Sequence, residues 1–412
     1  MIDIVTSFQV TKDGHQDDVI MFGTVDENNR KIELHYELNS VGSVLMRADD
    51  FWGKLLTLRV KNTNAELFII YGCHLSQQTL VLSSSGMGTL SGSFDCLVKQ
   101  QSPFEKYDSI SFSFGDINKV FPLVNFEVNV TDDDGPLSFS RPAVNQKQYS
   151  VNDGIIGSIT SQFEGIPFNP CSEIHIRQKK FINLTFSSEK TAEELLGILS
   201  RVKLYLEFLL SQEIQLKDVS FTGKTVDDSF HVAIIVTAPI LVPHTFVKAI
   251  DENSYKYSEE DFFAGLHGWL SNYEKYSQVI SIWEKTIYNA NVSLDDTFIW
   301  RCQAFELLCV LTDDIKKEAY SNLAQDQSNP NLRNYLSIVN SKYNITKRSE
   351  KYFSDAKDTR DKLTHNNPKK NVTDDQVKNA YSLINHFLPA TMSNIMGFKC
   401  RLPGLILMPK QQ

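Results

Sequence analysis

Arg360 and His365 stand five residues apart at the end of a segment that reads as one amphipathic helix from Arg348 to His365. Asn366, Asn367 and Pro368 then stop it, because proline disfavours the helical conformation in the residue before it. The apolar stripe of this helix runs through Tyr352, Phe353, Ala356 and Leu363. Arg360 lies four residues after Ala356 and three before Leu363, so it falls on the inward stripe. A guanidinium turned inward needs an anion or a partner. On the adjoining face Asp358, Asp361 and His365 recur at spacings of three and four, which lets Asp361 orient the imidazole. An imidazole ionises near neutral pH and suits proton transfer, and an arginine suits a phosphate. Five residues of helix set the two side chains roughly 140° and ~7.5 Å apart. A long arginine side chain or a fraying helix end is therefore needed to bring both to one phosphate.

The elements that must position these residues differ along the chain. From about residue 255, long amphipathic segments predict helices over 259–290, 295–325, 330–344, 347–366 and 373–388. Leu294-Asp295-Asp296 opens one of them with acids at the positive end of the macrodipole, and Thr373-x-x-Gln376 has capping-box spacing. Short loops between such helices make a bundle. Residues 1–140 instead read as short β-branched and aromatic strands, among them Val19–Gly23, Lys31–Tyr36, Leu67–Tyr71 and Ser109–Phe114. Alternation with polar residues implies antiparallel sheets in a sandwich or barrel. Residues 141–250 mix both patterns. A helix over Thr191–Glu213 carries Leu195, Leu199, Val202, Leu206 and Leu209 on one stripe, with its start expected near Ser187 and Ser188. The expected fold class is α+β and multidomain: a β-rich lobe (1–140), an α+β lobe (141–250) and an all-α bundle (251–412).

The 412 residues exceed one ordinary core, and 42% hydrophobic with 22% charged residues is the composition of a globular chain. A net charge of −9 argues against a general nucleic-acid coat, so any RNA site must be local. One local excess exists: nine Lys or Arg against four acids between Lys342 and Lys370. The six cysteines form no C-x-x-C pair, and reduced core thiols are expected. Met1-Ile2-Asp3-Ile4 lacks the pattern of a signal peptide, and the longest apolar run, Phe230–Val242, contains Pro239 and is too short to span a bilayer. The expected location is cytoplasmic, with no membrane contact. Gly86-Met87-Gly88-Thr89-Leu90-Ser91-Gly92 misplaces the third glycine of a dinucleotide loop and reads as a hairpin loop. Cys73 and His74, adjacent in a strand, point to opposite faces and cannot form a nucleophile pair.

Arg-x4-His at the end of a late helix, with a polar Asp361 directly after the arginine, resembles the signature of HEPN ribonucleases. Arg360-Asp361-Lys362-Leu363-Thr364-His365-Asn366, behind a β-rich N-terminal region, looks most like the ApeA group of bacterial anti-phage defence proteins. The resemblance implies a HEPN bundle that cleaves RNA without metal or cofactor. Arg360, His365 and Asp361 would be catalytic, and Lys362, Thr364, Asn366, Lys369 and Lys370 would contact RNA. It also implies a homodimer or higher homo-oligomer through the helical domain, and a phage-derived trigger acting on the N-terminal region. Glu306, on the earlier helix Trp300 to Leu311, is either a carboxylate supporting this site or a solvated charge. The rival expectation is a ligand-binding β-rich protein that a HEPN-like helical domain merely dimerises.

Overall fold

The structure is a computed structural model that describes residues 2–12, 15–37, 56–62, 64, 66–81, 87–100, 106–115, 117–121, 127–129, 138–140, 147–165, 176–224, 230–237, 257–288, 293–323, 327–365 and 372–398. The chain divides into two compact units, neither continuous in sequence. The first holds residues 1–114, 181–197 and 215–243; the second holds 115–180, 198–214 and 244–412. Antiparallel strands dominate the N-terminal region and helices the C-terminal region, which makes the chain α+β.

In the first unit, β1 (Ile2–Lys12) pairs with β2 (His15–Asp26) on one side and β4 (Leu56–Asn62) on the other. The ladder continues from β2 to β3 (Lys31–Glu37), to β6 (Met87–Ser93), and to β5 (Leu67–Val81), which returns to β4. Six antiparallel strands thus close a circuit of hydrogen bonds, the property that removes free edges from a barrel. The front of β5 also pairs with β7 (Cys96–Gln100), and β7 with β15 (Phe230–Thr237). From β15 the ladder continues to β14 (Leu216–Lys224) and β8 (Lys106–Phe114). Alternate residues fill the core: Ile32 and Leu34, Leu58 and Val60, Cys73 and Leu75 are all buried. Cys73 faces inward and His74 outward, as strand alternation requires.

The glycine-rich segment is a correction. Met87–Ser93 is not a hairpin loop but β6, paired with β3 on one side and β5 on the other. Its low strand propensity is overridden because its glycines let neighbouring backbones approach closely. A Cβ at Gly92 would lie 2.2 Å from the carbonyl oxygen of His74.

β13 (Ile176–Thr191) runs through the expected helix start at Ser187 and Ser188, and α2 (Ala192–Leu210) begins only after Thr191. Thr191 Oγ1 accepts the Glu194 amide and the Glu194 carboxylate accepts the Thr191 amide, a reciprocal cap that outcompetes the upstream serines. All five expected stripe residues of α2 are buried. An earlier short helix, α1, covers Ile117–Val120.

Seven further helices follow among the described residues: α3 (Glu259–Asn272), α4 (Ser277–Tyr288), α5 (Leu294–Leu311), α6 (Asp313–Ser321), α7 (Leu332–Tyr343), α8 (Glu350–His365) and α9 (Asp374–Ile395). The single helices expected over 259–290 and 295–325 are each two. Thr312 breaks the second: its backbone is extended, and its hydroxyl donates to the Leu308 carbonyl and meets Tyr276 Oη. α9 outlasts its expected end by passing through Pro389, where burial of Leu388, Ala390 and Met392 outweighs the lost amide donor. Phe298 of α5 stacks on Tyr381 of α9 at 4.5 Å, while Phe305 of α5 and Phe353 of α8 both present edge-on contacts to Phe387. No helix among the described residues is long and apolar enough to cross a membrane.

Candidate active site

α8 places the motif. Phe353 and Ala356 are buried on its inner face, and one turn later Arg360 enters the same cleft toward α5. Arg360 Nη2 donates to Glu306 Oε1 at 2.9 Å, and both side chains are about four-fifths enclosed (21% and 24% exposed). Glu306 is therefore the partner that an inward arginine demands, not a solvated charge. Its helical neighbours Cys302 and Cys309, at spacings of four and three, are fully buried and free. Burial pushes the Glu306 carboxyl above its ordinary value; the Arg360 guanidinium opposes that shift and Asp361 adds to it. Burial first, then Glu306, pushes the Cys302 thiol well up, and the Cys309 thiol likewise. Neither is a nucleophile at neutral pH.

The Arg360–Glu306 pair is not fully satisfied. Arg360 Nε is buried without a hydrogen bond; Asp361 Oδ1 lies 3.5 Å away, close enough for attraction but not for a bond. Arg360 Nη1 has no hydrogen-bond partner among the described residues. Thr359 Oγ1, one residue earlier, is also buried and unpartnered. In native proteins such groups are rare and need a reason.

Asp361 does not orient His365. Its carboxylate accepts from Lys357 Nζ at 2.9 Å, the preceding turn of α8. His365 is exposed at the helix end, and among the described residues no hydrogen bond holds its ring. Lys362 Nζ reaches the Val372 carbonyl at 3.4 Å, and Thr364 Oγ1 donates back to the Arg360 carbonyl at 2.8 Å. Asn366, Lys369 and Lys370 lie outside the described residues. The local excess of positive charge is partly spent within the fold, since Lys342 pairs with Asp314, Lys357 with Asp361 and Arg360 with Glu306. Among the described residues no group of three His, Cys, Asp or Glu could hold a metal ion.

A second ionic cluster escaped sequence reading. Glu207 of α2 is fully buried, with Oε1 accepting from Lys203 Nζ at 3.2 Å and from the Ile214 amide at 3.1 Å. Its Oε2 accepts from Tyr288 Oη of α4. Lys203 and Glu207 lie four apart, off the leucine stripe, the spacing that surface ion pairs on a helix also have.

Residues 17–267 match the family described as ApeA N-terminal domain 1. No curated protein and no solved structure matches the chain. The match spans more than half of the sequence and covers α2, the start of the helical region and the closed strand circuit except β1 and the first two residues of β2. By that match the chain belongs to the ApeA family of anti-phage defence proteins.

Proposed function

We propose that this protein is an endoribonuclease of the HEPN type, which cleaves RNA without metal through Arg360 and His365 and is held in check by its N-terminal region until infection. The observation that carries the proposal is the half-satisfied guanidinium. Arg360 is anchored by Glu306 through Nη2 while Nη1 keeps a donor without a partner among the described residues, and the same helix exposes His365 a little over one turn later. A guanidinium anchored on one side and open on the other can take a phosphate oxygen without leaving its place.

The chemistry follows from those groups. The neutral His365 ring nitrogen takes the proton of a ribose 2′-OH, whose oxygen attacks the adjacent phosphorus. The P–O5′ bond breaks, the 5′-oxygen is protonated by an imidazolium, and a 2′,3′-cyclic phosphate remains. Arg360 Nη1 offsets the charge that builds on the phosphoryl oxygens. Asp361, tied to Lys357, keeps that lysine from competing for the phosphate and stays near the guanidinium. A homodimer through the helical domain would bring a second His365 to supply the proton to the leaving group. The family's defence role supports an infection-linked trigger, with RNA cleavage halting growth of the infected cell.

The test is inducible expression of the full chain beside Arg360→Ala and His365→Ala, with phage challenge and RNA integrity on a gel. Protection and RNA fragmentation should disappear in both variants. Protection that persists in both would instead leave a ligand-binding protein whose helices only dimerise it.

A further inference from the structure

The outer ridge of α9 runs through Ser382, Asn385, His386 and Pro389, opposite the buried Ala380, Leu383, Ile384 and Phe387. From Gln376 to Ile395 this helix carries no Asp or Glu. An arginine flanks the ridge on each side: Arg301, from α5, touches Asn385, and Arg348, two residues before α8, stands beside His386. We infer that this patch binds the phosphate backbone of single-stranded RNA, as a second contact outside the Arg360 cleft. The choice of RNA rests on the nuclease reading; the choice of a phosphate strand rests on the patch itself.

Neither arginine has a carboxylate partner among the described residues. Neutral oxygens hold Arg301: Nε donates to Thr286 Oγ1 of α4 at 3.4 Å and Nη1 donates to Asn385 Oδ1. Its Nη2 has no hydrogen-bond partner among the described residues and is not sealed from solvent. Arg348 lies over the Tyr352 ring, 5.2 Å from its centre. Its Nη1 is sealed without a partner, while Nε and Nη2 keep accessible surface. His386 Nε2 donates to the Ile345 carbonyl at 3.3 Å, which ties the segment that carries Arg348 to α9. Two acids that touch α9 are engaged before the ridge begins: Asp295 accepts from Tyr381, and Asp355 accepts from Gln376 Nε2 at 2.8 Å. Beside Arg348 in the chain, Lys347 and Lys351 are exposed, and Glu350 is taken by Ser337 and Arg333.

A guanidinium without a counter-ion attracts a phosphate and grips it through paired donors. Asn385 and His386 point about 100° apart on a helix ~10–12 Å across, so the two arginines stand on separate flanks. One inorganic phosphate does not bridge them. A strand with a phosphate at every nucleotide does, crossing the ridge over Asn385. Ser382 and Asn385 add polar groups without charge, which suit sugar oxygens between two phosphates. Five residues of α5 turn Arg301 about 140° from Glu306, so the patch lies outside the Arg360 cleft.

The experiment uses the purified full chain carrying His365→Ala, so that the probe is not consumed, and a fluorescent single-stranded RNA oligomer of mixed sequence. Anisotropy gives the affinity between about 50 and 200 mM salt, and the slope of log affinity against log salt counts phosphate contacts. Arg301→Gln and Arg348→Gln should each weaken binding and flatten that slope by ~0.7, and together by ~1.4. Asn385→Glu, at an exposed position of the ridge, gives Arg301 a carboxylate of its own and should flatten the slope as much, whereas Asn385→Gln should not. Inorganic phosphate should compete no better than its ionic strength predicts. Absence of RNA binding, or a slope unchanged in Asn385→Glu and in both arginine variants, overturns the inference. So does binding of anionic lipid vesicles in place of RNA through the same arginines. Patch-dependent binding by a chain that never cuts RNA in cells would sink the nuclease reading and leave the patch standing. RNA cutting without patch-dependent binding does the reverse.

Discussion

Two ion pairs in the helical unit differ in kind. Lys203–Glu207 lies within α2 and is sealed, with side chains 5% and 0% exposed. Every Glu207 oxygen has a donor, from Lys203, the Ile214 amide or Tyr288. Arg360–Glu306 is about four-fifths enclosed, leaves Nε without a bond and ends at an exposed histidine. A complete set of hydrogen bonds marks a pair that belongs to architecture. An incomplete set leaves donors that a ligand can take, which is what the proposed nuclease site requires. The first pair joins helices α2 and α4 through Tyr288; the second joins α5 and α8 and leaves a donor over.

The sharpest way to break this contrast is to remove one partner of the sealed pair. Lys203→Met leaves the Glu207 charge without its cation in a dry site and should cost about 3–5 kcal/mol. Denaturant unfolding of the full chain, followed by the fluorescence of Trp269 and Trp283 beside Phe208, reads the loss. Lys203→Met with Glu207→Leu should recover most of it, because the pair as a whole competes with an apolar replacement. A single substitution within ~0.5 kcal/mol of wild type would mean that Glu207 is simply protonated in the fold and that the cluster is no ion pair. In the same unit, Gly268→Ala tests packing without charge. Its Cβ would lie 1.7 Å from the Met396 carbonyl oxygen, so α3 or the end of α9 must shift, at about 1–3 kcal/mol.

The difference between the pairs also explains what could be read in advance. Arg360 stood out because a charge on an apolar stripe contradicts its own helix, and that conflict survives in sequence. Lys203 and Glu207 lie off the leucine stripe of α2, at the four-residue spacing of an ordinary surface pair. Only burial on the remaining faces by Tyr257, Trp269 and Tyr288, residues distant in the chain, makes them unusual. The strands of the closed circuit were legible where apolar and polar residues alternate, as in β3 with Ile32, Leu34 and Tyr36. β6 was not, because Gly88, Gly92 and the serines carry no apolar signal and its strand state comes from two neighbours. The α+β order was legible from the change of period near residue 255. The missing Asp361–His365 bond was not, because spacing along a helix does not show that Lys357, also on that face, takes the carboxylate first.

Arg360→Lys isolates function from fold at the second pair. The ammonium keeps a charge beside Glu306 but cannot donate to Glu306 and to a phosphate in one plane. Stability should change by no more than about 1 kcal/mol, since the pair is partly exposed. RNA cleavage and phage protection should fall by at least about a hundredfold. If Arg360→Lys retained full protection, the unspent Nη1 donor would have no catalytic meaning, and the contrast between the two pairs would reduce to depth of burial.

The smallest effect is the dependence on pH. Glu306 sits above its ordinary value of 4.5, chiefly through burial. A carboxyl whose pKa is higher folded than unfolded binds its proton more tightly in the native state. Its favourable contribution is complete below pH 4.5 and is lost as pH rises toward the folded value. The groups facing it are Arg360, which favours the ionised form, and Asp361 and the two thiols, which do not. Glu306→Gln removes the titration while keeping an oxygen for Nη2. The difference in unfolding free energy between wild type and Glu306→Gln should therefore move against wild type as pH rises above 4.5, at no more than ~1.4 kcal/mol per pH unit, and flatten once Glu306 is ionised. A difference moving the other way would mean that Arg360 outweighs burial. The pair would then be closed in the resting protein, and a phosphate would have to displace Glu306 rather than take the donor beside it.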